Sequence, residues 1–283
     1  MNRKDSIEKL KNILESYDFR FANYQEIPQF VFDQIPCIRL IKYKKKQVDI
    51  DYKRYVWLKK NLSKKVKKVC EIGSNIGYFS SSLAKDYSFF VQAYEPNNLY
   101  AKVSKIISNL TKLDNRLKIY NEGINLQNIK KLDSHDLTIN LNVLHHAGCS
   151  YDVALFKDNM KWEDYVISYL KKLSTKSNYL FFQTGNMMKG KAIFPSIKVI
   201  DIFKNIFDKS GWKINNIGVI NNLDTLDYVS YLEKDIPKIK LYNCKRDKMN
   251  NKVAYYYDKK FVSHLTTGLA QRPLWFCQKV NKR

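Results

Sequence analysis

Two carboxylates stand where an apolar run gives way to a turn. Glu71 lies in Val69-Cys70-Glu71-Ile72-Gly73-Ser74-Asn75-Ile76-Gly77-Tyr78-Phe79, and Glu95 in the later Ala93-Tyr94-Glu95-Pro96-Asn97. Gly73 lets the backbone turn tightly and approach a ligand, Gly77 permits close contact of helix and strand, and a helix start offers free N–H groups. A ligand belongs at the carboxyl end of such a strand. The dinucleotide pattern G-x-G-x-x-G is not met, because position 75 is Asn. A diphosphate cradle is therefore disfavoured, and an acid at Glu71 suits a cationic or amine-bearing ligand. Glu95 alone would read as an exposed loop acid, but paired with the Glu71 loop it can accept two hydrogen bonds from ribose hydroxyls.

A later apolar run ends in Asn140-Leu141-Asn142-Val143-Leu144-His145-His146, which brings two of the four histidines to the same sheet edge as the two acids. A His of ordinary pKa can take a proton from a hydroxyl or orient a phosphate. His135 and His264 have no comparable context. Arg272, in Gln271-Arg272-Pro273-Leu274-Trp275-Phe276, offers a planar pair of donors to a phosphate or carboxylate.

These residues need a scaffold that holds strand ends together. From Val66 onward short apolar strands alternate with helices, the pattern of a parallel sheet covered on both faces. Strands are expected at 66–72, 89–94, 117–121, 136–142, 179–183, 212–219 and 274–280, with helices near 78–85, 97–110, 162–173 and 196–210. Ahead of them, Ser6 to Tyr17 reads as an amphipathic helix, Phe19 to Gln34 as a turn-rich stretch, and Tyr52 to Leu62 as a helix N-capped by Asp51. The reading is a helical N-terminal cap over 1–65 and a core over 66–283 with an irregular insertion at about 221–269.

Lys and Arg number 50 against 27 Asp and Glu, a formal charge of +23. That balance invites anionic partners, although a chain rich in Asn, Ile, Tyr and Lys also suits an AT-rich genome. Five scattered cysteines without a C-x-x-C pair point to a reducing interior without structural metal. No apolar run is long enough for a signal peptide or a membrane span, so a cytoplasmic, soluble protein is expected.

Together, Glu71, Gly73, Gly77 and Glu95 resemble the class I methyltransferases that use S-adenosyl-L-methionine, over roughly residues 66 to 220. The resemblance implies an α/β, Rossmann-like, mostly parallel sheet of seven strands with the last antiparallel. It implies cofactor contacts from Glu71, Gly73, Ser74, Asn75, Gly77 and Tyr78, and from Glu95, Pro96 and Asn97. Glu122 and Gly123, after the third strand, would meet the adenine edge, and Asn142 the reacting end. Tyr24-Gln25, the Asn142-Val143-Leu144-His145-His146 strand end and Arg272 narrow the resemblance to methyltransferases of bacterial surface-polysaccharide synthesis, including phosphate methyltransferases that terminate O-antigen chains. In that group the Tyr-Gln pair closes over the cofactor and the His pair lies at the acceptor. The expected function is methyl transfer to a hydroxyl or phosphate of a sugar, nucleotide sugar or polysaccharide intermediate of capsule or lipopolysaccharide. His145 and His146 would be the catalytic groups and Arg272 would hold an anionic glycan or small-molecule acceptor. The alternatives are an RNA or tRNA methyltransferase using the basic surface, and a non-enzymatic binding protein that kept the fold.

Overall fold

The computed structural model describes residues 2–16, 25–41, 49–157, 160–188, 191–242, 245–249, 252–257, 260–262 and 271–280. Tyr24 and His264 lie outside the described residues. The helices are α1 (Arg3–Glu15), α2 (Gln29–Gln34), α3 (Ile50–Asn61), α4 (Tyr78–Asp86), α5 (Asn98–Leu110), α6 (Val153–Lys157), α7 (Trp162–Leu173) and α8 (Val199–Ser210). Strands β1 (Lys68–Ile72), β2 (Phe90–Tyr94), β3 (Leu117–Tyr120), β4 (His135–Leu141), β5 (Ser177–Gln183), β8 (Trp212–Ile220), β9 (Tyr228–Tyr231) and β13 (Leu274–Lys279) form one eight-stranded sheet. Its order is β3-β2-β1-β4-β5-β13-β8-β9. Two short ladders complete the set: β6 (Met187–Met188) with β7 (Lys191–Ala192), and β10 (Lys245–Met249), β11 (Lys252–Tyr257) and β12 (Lys260–Val262).

β1 pairs parallel with β2, and β2 with β3, whereas β13 runs antiparallel to both β5 and β8. This is the Rossmann-like sheet with an antiparallel last strand that the sequence implies. The sheet has eight strands rather than seven, because β9 pairs antiparallel with β8. The insertion expected to be irregular thus contributes β9 and the three-stranded ladder. β9 (Tyr-Val-Ser-Tyr) and the charged β10 lack the apolar runs of the central sheet, so periodicity does not reveal them, whereas β11 carries the run Val253–Tyr257.

Contacts divide the chain into two compact units. The first comprises Met1–Val56, Leu62–Ile124 and His135–Ile139. Its core joins Leu10 and Leu14 of α1, Val31 of α2, Ile27, Ile35 and Ile38 to Val103, Ile107 and Leu110 of α5. Helix α1 starts at Arg3, where the Asn2 side chain accepts the Asp5 N–H at 2.9 Å, a side-chain N-cap. Asp51 is not the cap of α3, which is Asp49. Asp51 instead lies buried in the first turn, accepts the Glu26 N–H at 3.1 Å and pairs with Arg54 at 3.1 Å. A buried charge takes a buried partner in preference to an exposed helix end.

The second unit comprises Trp57–Asn61, Asn125–Ser134 and Asn140–Arg283. Aromatic rings fill it: Phe207 meets Trp275 at 5.3 Å, Phe182 meets Phe203 at 5.3 Å and Trp162 meets Phe194 at 5.4 Å between centroids. Two of the buried indoles bond to backbone carbonyls, as buried Trp favours. Trp212 donates to the Leu170 carbonyl at 3.0 Å and Trp162 to the Leu144 carbonyl at 3.0 Å. Among the described residues no helix is long and apolar enough to cross a membrane.

Candidate functional site

The turn between β1 and α4 is built from left-handed residues. Gly73, Asn75 and Gly77 have φ of 72°, 51° and 83°. At Gly77 a Cβ would fall 2.5 Å from Ser104 Oγ, so glycine is required there both for its backbone and for the approach of α5. Gly73 N–H and Ser74 N–H both donate to the Tyr94 carbonyl, at 2.8 and 3.1 Å, which ties the turn to the end of β2.

Glu95 is buried at the carboxyl end of β2 rather than exposed. Its Oε2 accepts the Asn75 N–H at 2.7 Å and its Oε1 the Asn97 N–H at 2.8 Å. Burial raises its pKa, while the Asn97 and Asn75 amides oppose the rise. Asn97 also caps α5, its Oδ1 accepting from Leu99 N–H at 2.9 Å and Tyr100 N–H at 3.2 Å. Pro96 lies against Gly123, whose Cβ would stand 3.4 Å from the Pro96 ring. Glu122 is exposed next to it.

Glu71 is 2% exposed and turns toward α4. Its Oε2 accepts the Ser80 N–H at 2.8 Å, and the Ser80 hydroxyl bonds to the same oxygen. Burial pushes its pKa to about 8, with the Ser80 bonds pulling down and the charges of Asp51 and Glu95 pushing up. Gln25, also buried, accepts the Tyr78 N–H on its Oε1 at 3.2 Å. Tyr78 is buried edge-on to Tyr55 at 6.3 Å, and burial raises its hydroxyl pKa.

The expectation of free N–H groups at this helix start is therefore corrected. Glu95 takes the Asn75 amide, Asn75 Oδ1 the Ile76 amide at 2.7 Å, Gln25 the Tyr78 amide and Glu71 the Ser80 amide. A cradle so filled with acceptors rejects a phosphate and keeps its remaining lone pairs for donors. In the same turn the Ser74 hydroxyl is fully buried with no hydrogen-bond partner. Two acids, an orphaned hydroxyl and amides already given to Glu95, Asn75, Gln25 and Glu71 fit a ligand that carries a diol and positive charge better than an anion.

In the second unit, Asn142 follows β4 in left-handed backbone, φ 57°, its N–H donating to the Gln183 carbonyl at 2.7 Å. Arg272 Nη1 donates to Asn142 Oδ1 at 3.4 Å, and Gln183 Nε2 to the Arg272 carbonyl at 2.6 Å. The structure thus brings Asn142 and Arg272 together through Gln183. Trp162 and the Tyr151 hydroxyl hold the next turn by the Leu144 and Val143 carbonyls, at 3.0 and 3.2 Å. On that turn His145 is buried and His146 exposed, their rings 4.0 Å apart.

The histidines are not ordinary. Burial, then His146 and Arg272, push the His145 pKa down to about 3, and burial and Arg272 also lower that of His146. Gly185 N–H donates to His145 Nδ1 at 3.4 Å, which in a neutral ring leaves the proton on Nε2. Gly185 must be small, since a Cβ would lie 3.0 Å from the His145 ring. His135 is a buried strand residue bonded to Thr138 Oγ1 at 2.6 Å.

Sequence reasoning missed Ser80, Gln183 and Gly185, and placed Asn121 only within the stretch that ends the third strand. Asn121 Nδ2 donates to the Glu95 and Pro96 carbonyls at 2.9 and 3.1 Å. The rule that ligands lie beyond strand carboxyl ends would have picked out Gln183-Thr184-Gly185 at the end of β5. Ser80 gives no such signal.

No protein-family model and no curated protein matches the chain. Among solved structures, the StiE O-MT is similar at 13% identity and a TM-score of 0.48, over 92% of this chain and 84% of that one. The N-terminal domain of EvdMO1, solved in the presence of SAH and D-fucose, is 10% identical at a TM-score of 0.46, over 99% of this chain and 98% of that one. A Pyrococcus horikoshii protein assigned as a candidate RNA methyltransferase is 10% identical at a TM-score of 0.46, over 98% and 100%. At such identities, what this chain binds rests on its own residues.

Proposed function

We propose that this chain is a cytoplasmic S-adenosyl-L-methionine-dependent O-methyltransferase. Its acceptor is a hydroxyl or phosphate of a sugar, nucleotide sugar or polysaccharide intermediate in bacterial capsule or lipopolysaccharide synthesis. The observation that carries the cofactor half is Glu95, held at the carboxyl end of β2 by one backbone amide on each oxygen. Each oxygen keeps a lone pair, so the carboxylate can accept from both hydroxyls of a ribose without losing its anchors.

When bound, the cofactor supplies an electrophilic methyl group on a sulfonium. The turn of Gly73, Ser74, Asn75 and Gly77 brings backbone close to it, Pro96, Asn97, Glu122 and Gly123 border the base, and Tyr24 with Gln25 belongs to a lid. Glu71, whose pKa burial raises to about 8, would be the acid beside the cationic amino-acid part of the cofactor, and a positive charge there would favour its ionised form. The acceptor class rests on the resemblance carried by His145, His146 and Arg272. A neutral His145 with its proton on Nε2 donates to the acceptor oxygen and orients it, a role its depressed pKa suits better than proton removal. Arg272, steadied by Asn142, holds an anionic group of the acceptor.

The test is calorimetry with S-adenosylhomocysteine, followed by turnover against nucleotide sugars, sugar phosphates and tRNA. Glu95→Ala should weaken binding by about 10-fold or more, the loss of charge-assisted hydrogen bonds. Equal affinity in the variant removes the ribose assignment, and turnover on tRNA alone removes the glycan acceptor.

A further inference from the structure

Within the first unit a cleft of about 830 Å³ is bordered by Arg3, Lys85, Lys112 and Arg116. Among the described residues no carboxylate and no aromatic side chain lines it, and Asp86 and Asp114, the neighbouring acids in sequence, are not part of the lining. Lys85 lies in the last turn of α4, whereas Lys112 and Arg116 belong to the turn between α5 and β3. The cleft therefore sits at the amino ends of β2 and β3, away from the strand ends that carry Glu71 and Glu95.

Helix ends explain part of this charge. The carboxyl ends of α4 and α5 each bring roughly half a negative charge. Arg3 spends its guanidinium on backbone, Nη1 on the Leu110 carbonyl at 2.9 Å and Nη2 on the Gln34 carbonyl at 3.1 Å. That leaves Lys85, Lys112 and Arg116, none in an ion pair among the described residues. Lys112 also occupies the position after the α5 cap with φ 57°, a left-handed site that glycine or asparagine fills at lower cost. The charge of Lys112 at the α5 carboxyl end offsets part of that backbone cost.

We propose that this cleft binds a phosphorylated small molecule or glycan through its phosphate groups. Three cations converging without an acid match a diphosphate or a pair of phosphates. The absence of an aromatic platform argues against nucleobases, which bind single-strand sites by stacking.

The experiment titrates inorganic phosphate, pyrophosphate and a single-stranded RNA oligonucleotide into the full chain by calorimetry. Variants are the double substitution Lys112→Gln with Arg116→Gln, and separately Lys112→Gly, which relieves the left-handed strain. Pyrophosphate should bind more tightly than phosphate, weaken with added salt, and lose about 10-fold or more in the double variant. Lys112→Gly should bind it more weakly while melting at a higher temperature. Glu95→Ala should leave pyrophosphate binding unchanged, which separates this cleft from the cofactor site. Unchanged pyrophosphate affinity in both cleft variants overturns the proposal, as does RNA binding that pyrophosphate does not displace.

Discussion

Glu71→Gln replaces a buried carboxyl by an isosteric neutral group and should change how stability depends on pH. In the folded chain, burial lifts the Glu71 pKa from 4.5 to about 8. Below the unfolded value both states carry the proton, and the protonated native form costs nothing extra. Between the unfolded value and about 8 the native state keeps a proton that the unfolded chain has released, so stability falls as pH rises. Above that range the loss is complete. At about 1.4 kcal/mol per tenfold change in proton affinity, the decline attributable to this one group is ~5 kcal/mol, a large part of a typical domain's stability. Glutamine cannot ionise, and its carbonyl can still accept the Ser80 N–H, so the variant should keep at pH 9 most of what wild type has at pH 5. Urea denaturation between pH 5 and pH 9, read by Trp fluorescence, measures both profiles. Parallel profiles for wild type and variant would refute the assignment of the charge penalty to Glu71.

Gly77→Ala combines a left-handed backbone, φ 83°, with a Cβ 2.5 Å from Ser104 Oγ, whereas Gly211→Ala has a similar φ of 80° but its nearest neighbour at 3.8 Å. Denaturation should show a loss of about 2–4 kcal/mol at Gly77 and about 1 kcal/mol at Gly211; equal losses would mean the contact with α5 costs nothing. Asn97→Ala removes the α5 cap and should cost about 1 kcal/mol in the same assay while leaving the Asn97 N–H bond to Glu95. His145→Gln should lower methyl transfer by about 10²–10⁴-fold with S-adenosylhomocysteine affinity retained. Because the wild-type His145 pKa lies near 3, its turnover should show no limb from this group around neutrality. A limb near pH 6.5 that vanishes in the variant would restore His145 as a base.

The sequence by itself determined β1, β2 and the helices after them in the first unit and the second unit's central strands, but not α2, which forms at Gln29–Gln34 in a stretch read as turns. Apolar runs ending at Glu71, Glu95, Asn142 and Gln183 define strands β1, β2, β4 and β5 because side-chain periodicity is a local signal. Gly73 and Gly77 mark the turn after β1 because only a few residues tolerate a left-handed backbone. What these groups do depended on chain brought from elsewhere. The amides of the α4 start are taken by Gln25, Glu71 and Glu95, and Asp51 is drawn from capping α3 into a buried pair with Arg54. His145 loses its ordinary pKa to burial and to Arg272, far along the chain. Strand β9 exists through its pairing with β8 rather than through its own pattern. The cleft of Arg3, Lys85, Lys112 and Arg116 likewise gathers cations from α1, the last turn of α4 and the turn between α5 and β3. Desolvation, hydrogen-bond partners and converging charge are properties of neighbours in space, so the tertiary structure alone decides them.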